Sequence, residues 1–221
     1  MFRWLVPSVV TIAWISVLAS LPASMPLNPW QAYAFHAGGF RPVVPAPPPC
    51  VSDAALAPPV TLPREHLRIP PDWRIAASTL ADVTGDGLPE WVLIVWRPWR
   101  DWPIQDWSPA PSPIAEFHDA AGDSCHLILL DPRDGQQVWA GSALPAPLLA
   151  LAVGDVDGDA HNEVLALEGD YLTGWSGPAG SVVVWKWNGF GFSLEWRSPR
   201  GHLRQLRLTN AGSDSILVLA R

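Results

Sequence analysis

Two nine-residue acidic turns, Asp82-Val-Thr-Gly-Asp-Gly-Leu-Pro-Glu90 and Asp155-Val-Asp-Gly-Asp-Ala-His-Asn-Glu163, constrain the fold more than any other feature of this chain. Each is entered from a short apolar run, residues 75–80 and 148–153, and left through another, Trp91-Val-Leu-Ile-Val-Trp96 and Val164-Leu-Ala-Leu167. Short apolar runs bounded by Asp and Gly read as strands joined by turns. The same turn met twice in the same setting implies a repeated strand-turn-strand unit.

The rest of the chain beyond Arg74 continues the pattern. Residues 126–130 form an apolar run, Asp131-Pro-Arg-Asp-Gly135 supplies turn residues, and residues 137–140 return. In the second half, residues 181–187 read as a strand, Asn188-Gly189 is a hairpin signal, and Phe192, Leu194 and Trp196 alternate with Ser193 and Glu195. Residues 203–208 enter a third turn and residues 216–219 leave it. The unit thus occurs about two and a half times, the signature of stacked β units. The expectation is an all-β fold, an open stack of about two and a half antiparallel blades. Two and a half blades cannot close a ring. A longer array, homo-oligomerisation, or end covers from the proline-rich segment and the loop at residues 99–113 would each resolve this.

The acidic turns have a specific chemistry. Calcium takes roughly six to eight oxygen ligands, and carboxylates at alternate positions of a tight turn can converge on one such ion. In the second loop Asp155, Asp157 and Asp159 stand at positions 1, 3 and 5, His161 can offer its backbone carbonyl at position 7, and Glu163 closes at position 9. These four carboxylates repel one another unless a counter-ion is present, which is the physical reason to expect a cation. The first loop has Asp82, Thr84, Asp86 and Glu90 at the corresponding positions, with the Leu88 carbonyl at position 7. Thr84 contributes a neutral oxygen, so the second loop is expected to be the better chemical match. Helix-loop-helix sites need a Glu at position 12, where Leu93 and Ala166 stand, so these loops are of another kind. The third turn, residues 209–214, has lost the carboxylate ladder.

The segments around both loops resemble the FG-GAP, or VCBS-type, repeats of integrin-α-like β-propellers, whose blades carry a D-x-D/N-x-D-G-x-x-D/E calcium loop between two strands. The resemblance spans roughly residues 74–221. It implies a partial β-propeller and carries calcium-ligand roles onto Asp82, Thr84, Asp86, Leu88 and Glu90, then onto Asp155, Asp157, Asp159, His161 and Glu163. The Phe-Gly and Gly-Ala-Pro elements that name the repeat are not evident here, and only two loops are present.

The beginning of the chain bears on compartment. Arg3 precedes an apolar run from Trp4 to Leu21, and no further charge occurs before Arg41, so residues 1–21 read as a signal peptide or a membrane anchor. A secreted or extracytoplasmic location follows from either. Residues 22–71 are rich in proline and read as a linker-like spacer ahead of a domain at residues 72–221. Two cysteines, Cys50 and Cys125, suit an oxidising compartment, and a bridge between them is left open. A formal charge of -7, with 14 Lys plus Arg and no basic block, excludes a nucleic-acid partner.

The functional expectation is a non-enzymatic structural or ligand-binding module, adhesion-like, with a protein or glycan partner. The alternative is a polysaccharide-active enzyme or accessory subunit on a propeller scaffold, but the clustered acids are already assigned to calcium and no nucleophile turn occurs. Trp91, Trp96, Trp139, Trp185, Trp187 and Trp196 fall on expected strands and read as core. Trp99, Trp102 and Trp107 lie in a polar, proline-rich loop instead, where they either bind a ligand by stacking or cover an open sheet edge.

Overall fold

A computed structural model describes residues 30–43, 62–211 and 214–220, and over residues 209–220 the backbone alone. The chain is all-β. Among the described residues twelve strands form three four-stranded antiparallel sheets, and none of the three closes on itself. The first sheet is the meander β3 (Arg74–Ala81), β4 (Glu90–Pro98), β5 (Asp123–Leu130) and β6 (Gln137–Ala140). The second is the meander β7 (Leu148–Gly154), β8 (Glu163–Glu168), β9 (Ser181–Trp187) and β10 (Phe192–Arg197). The third has the order β11-β12-β1-β2, so β11 (Gln205–Ala211) and β12 (Asp214–Ala220) are joined by β1 (Trp30–His36) and β2 (Gly39–Val43) from the other end of the chain.

The third sheet corrects the reading of residues 22–71 as a spacer. The β1 strand pairs antiparallel with β12 from Trp30 opposite Ala220 to Ala34 opposite Ile216, and β2 returns beside it. Their hairpin turns through Ala37 and Gly38, both at positive φ (50° and 80°), the backbone that a two-residue turn between twisted strands demands. Pro42 is tolerated because β2 is the edge of its sheet, where a missing amide leaves no inner ladder bond unmade. Three four-stranded sheets therefore replace the expected two and a half units. The folded domain also begins before residue 72, since Leu67 is buried with Trp73 against β4 and β5, with Leu62 and Ile69 packed beside them. Gly135 makes this approach feasible, because a Cβ there would overlap the Leu67 backbone.

The second sheet lies between the other two. Alternation along β4 decides which residues face it: Trp91, Leu93 and Val95 join the layer around Leu67 and Trp73, whereas Val92, Ile94 and Trp96 point the other way, into clusters shared with β8 and β9. The β8 strand repeats the device, with Val164 and Ala166 toward the first sheet and Leu165 and Leu167 toward the third. Both strands are buried on two faces, so their sequences are continuous apolar runs rather than alternating ones. Aromatic contacts, edge-on except for the tilted Phe40–Trp196 pair, reinforce the two junctions. Trp139 of β6 meets Trp187 and Phe192 at ring separations of 6.1 and 5.2 Å, and Trp196 of β10 meets Tyr33 and Phe40 at 5.1 and 4.9 Å. Such pairs contribute about 0.5–1.5 kcal/mol each beyond their buried area.

The repeat read from the sequence extends to fine backbone detail. Both β3 and β7 carry a register shift at the same place, between Ile75 and Ala77 in one and between Leu148 and Ala150 in the other, after which Ala77 faces Ile94 and Ala150 faces Leu167. Each ladder ends on the closing glutamate of its acidic turn, Ala81 opposite Glu90 and Gly154 opposite Glu163. The β9–β10 hairpin is wider than Asn188-Gly189 suggests: Trp187 pairs with Phe192, and the Asn188 carboxamide oxygen accepts from the amides of Phe190 and Gly191 inside a four-residue loop, 188–191. Among the described residues no helix is long and apolar enough to cross a membrane, while residues 1–21 and Cys50 lie outside the described segments. Cys125 is a free, fully buried thiol whose sulfur accepts from the Leu148 amide at 3.3 Å, and burial pushes its pKa up to about 12.

Candidate cation sites

The two acidic loops have the same local architecture. In each, the opening aspartate turns its carboxylate inward as an acceptor for the amides that follow: Asp82 receives Gly85 and Gly87 at 2.7 and 2.8 Å, and Asp155 receives Gly158 and Ala160 at 2.7 and 3.0 Å. The closing glutamate accepts the amide of the second loop residue, Val83 to Glu90 and Val156 to Glu163, both at 3.0 Å. Glu90 and Glu163 are buried, at 4% and 1% exposure, so these bonds fix their carboxylates rather than merely decorate them. The curl requires left-handed backbone at two places per loop. Gly85 and Gly158 supply it at the first, but at the second Gly87 (φ 87°) is matched by Ala160 (φ 69°), a residue that adopts this region only with strain.

Carboxylate oxygens of Asp82, Asp86 and Glu90 come within 4.8 Å of one another, as do those of Asp155, Asp157 and Asp159. Both clusters can hold a metal ion. Of the other expected ligands, Thr84 donates its hydroxyl to Glu90 Oε1 at 2.9 Å and so stands inside the first loop, Leu88 is exposed with its amide on Asp86, and His161 places its amide on Asp159 at 3.0 Å. Glu163 lies beside the second cluster, tied to it through a residue that sequence reasoning did not assign to the site, Lys186 of β9. The Lys186 ammonium lies 2.8 Å from Asp157, 2.5 Å from Asp159 and 3.1 Å from Glu163. Burial opposes its charge, but the bonds to Asp157, Asp159 and Glu163 more than reverse this and raise its pKa. In return the bond from Lys186 draws the Asp159 carboxyl down to about 2, whereas burial, with the neighbouring charge of Asp157, raises that of Glu163.

The first loop has no such partner. Among the described residues no Lys, Arg or His nitrogen forms an ion pair with Asp82, Asp86 or Glu90. The strand register explains the difference. Lys186 stands one residue beyond the Val164–Trp185 pair, and one residue beyond the corresponding Trp91–Leu130 pair stands Asp131. Asp131 is held by Arg133, at 2.5 Å, and that bond lowers its carboxyl to about 2. The two clusters therefore differ in their surroundings: an ammonium lies among the acids of the second, and no ion pair is made to those of the first among the described residues.

The loops also touch. Asn162 donates its side-chain amide to the Asp82 backbone carbonyl at 2.7 Å, and the His161 ring lies where a Cβ on Gly85 would be, 2.9 Å away. Neither contact was visible in the sequence, since each joins residues of different sheets.

The three loop tryptophans do not converge. Trp99 is half-buried, donates to the Ile114 carbonyl at 3.0 Å and leans on His118, Trp102 donates to Ser142 at 3.2 Å, and Trp107 is 87% exposed beside Ile104. Among the described residues no ring contact links Trp99, Trp102 and Trp107. The polar stretch at residues 118–123 is a turn, in which Asp119 accepts the amides of Ala121 and Asp123. Comparison of the chain with family models, curated proteins and solved structures finds no match.

Proposed function

We propose that this chain is an exported, calcium-stabilised β-repeat protein that serves as a structural or ligand-binding, adhesion-like module. The observation that carries the reading is the first acidic loop: three carboxylates gathered within 4.8 Å, fixed by backbone amides, with no direct ion pair to a lysine or arginine among the described residues. Oxygen-only donors on a tight turn favour calcium over softer metals. The arrangement of the sheets supports a partial propeller of three blades, because β7, the first strand of its meander, packs against β3 and β11, the first strands of the other two hairpin units. A cation in the loop at the β3–β4 junction would then hold one end of a blade rigid and couple its stability to extracellular calcium. Trp107 and Ile104, exposed together around the short 3-10 turn Pro103–Asp106, are the surface on which a protein or glycan partner would rest.

Calcium in hundredfold excess over its dissociation constant would stabilise the fold by about 2.7 kcal/mol, which in a domain of this size raises the melting temperature by several degrees. The expected result is that rise in calcium, its reversal by chelator, and its absence in D82N/D86N protein. A melting temperature indifferent to calcium and chelator would sink the metal reading. Retention of the protein on immobilised glycans or partner proteins that W107A does not weaken would remove the loop from the binding surface.

A further inference from the structure

We infer that the second acidic loop carries its own counter-ion: the Lys186 ammonium, delivered by β9, takes the cation position among Asp157, Asp159 and Glu163, so that only the first loop exchanges a divalent ion. The inference runs against the equal ligand roles that the repeat pattern assigns to both loops. It shares with the proposed function only the premise that the first loop takes calcium.

Three observations carry it. The nitrogen reaches three carboxylates from three loop positions at once, at 2.8, 2.5 and 3.1 Å, which is convergence on the centre of the loop and not a single surface pair. The lysine stem is held by the strand that carries it, since the neighbouring Trp185 and Trp187 pack in the cluster between the first and second sheets, so the ammonium is presented at high effective concentration. The same register position in the first sheet carries Asp131, of opposite charge and held by Arg133, and among the described residues no lysine or arginine forms an ion pair with the carboxylates of that loop. One repeat thus has four acids with a built-in cation, and the other has three acids with a further, arginine-held aspartate just past the end of the adjacent strand.

Chemistry explains why the two occupants exclude each other. An ammonium offers three hydrogen-bond donors and one charge; Asp157 and Asp159 accept two of the three, and Glu163 lies 3.1 Å from the nitrogen as a third ion-pair partner. Calcium needs those same oxygens plus several more, and would have to drive the lysine out into solvent before it could gather them. Asp155 offers little relief, because its carboxylate already accepts the amides of Gly158, Asp159 and Ala160. The ammonium therefore competes with calcium for the second loop, while the first loop has no lysine to take the place of the ion.

Isothermal titration with calcium chloride on the full chain tests this. The wild type is expected to bind one ion, D82N/D86N none, and D82N/D86N/K186M one again. Calcium binding by D82N/D86N with the wild-type affinity would overturn the inference, as would a K186M derivative that gains no binding. A wild type that binds no ion, with a K186M derivative that does, refutes calcium in the first loop and leaves Lys186 in its assigned place. Should K186M be unfolded without calcium, the nitrogen resonance of Lys186 in the unmutated chain decides: it is expected to stay unmoved through the titration, and displacement by calcium overturns the assignment.

Discussion

His126 shows how much of the stability of this protein rests on single polar groups inside the sheets. Its ring is 5% exposed on β5, with Nδ1 3.0 Å from the Gly141 carbonyl and Nε2 2.8 Å from the Ser124 hydroxyl. Those distances suit a neutral ring that donates from Nδ1 and accepts at Nε2, and burial, reinforced by Arg97, pushes its pKa from 6.5 down to about 4. The unfolded chain takes up a proton near the ordinary value and the folded chain resists until the depressed one. The stabilisation is therefore present above pH 6.5 and lost as pH falls toward 4, a loss of about 3 kcal/mol in total. Urea midpoints measured across this interval should fall for the wild type and stay nearly level for H126Q, and equal slopes in the two proteins would refute the assignment. At this scale the sequence was only partly legible. The acids of both loops could be named from their spacing, but Lys186 and the arginine-held Asp131 are placed by strand register, and Asn162 by a contact between sheets, neither of which spacing along the chain reveals.

Among the elements, the connection between β8 and β9 matters beyond its length. Tyr171 follows β8 and reaches across to the first sheet, where its hydroxyl donates to the Leu144 carbonyl at 2.8 Å and accepts the Cys125 amide at 3.1 Å, with its ring edge-on to Trp96. One phenol thereby satisfies two backbone groups at the junction of the first and second sheets. Y171F should lower unfolding free energy by about 1–3 kcal/mol while leaving the fold intact, because it leaves both groups without a partner. Chemical denaturation measures that loss, and a change below half a kcal/mol would show that solvent takes over both bonds. Hairpins flanking the acidic turns were legible because continuous apolar runs end abruptly in Asp and Gly. The β1–β2 hairpin was not, since Pro42 and the prolines that follow it outweighed the strand-like order of Trp30-Gln-Ala-Tyr-Ala-Phe-His36, and a proline on an edge strand costs little.

Taken as a whole, the molecule is a central sheet covered on both sides, and the third sheet is a joint product of the two ends of the chain. A chain beginning at residue 62 would lack β1 and β2, leave β12 as an unpaired edge, and strip Tyr33 and Phe40 from Trp196. Such a truncation should lower the unfolding midpoint and self-associate in light scattering, and a peptide of residues 30–43 should reverse both. A monomer of undiminished stability would show that the pairing is dispensable. The union of first and last strands also sets a clock for biosynthesis. Trp30 must wait for Ala220, about 190 residues later, which at ribosomal speed is roughly ten to forty seconds during which β1 has β2 on one side and an open edge on the other. Whatever machinery handles the nascent chain has to shield that open edge throughout, and the third sheet is complete only once β12 has emerged.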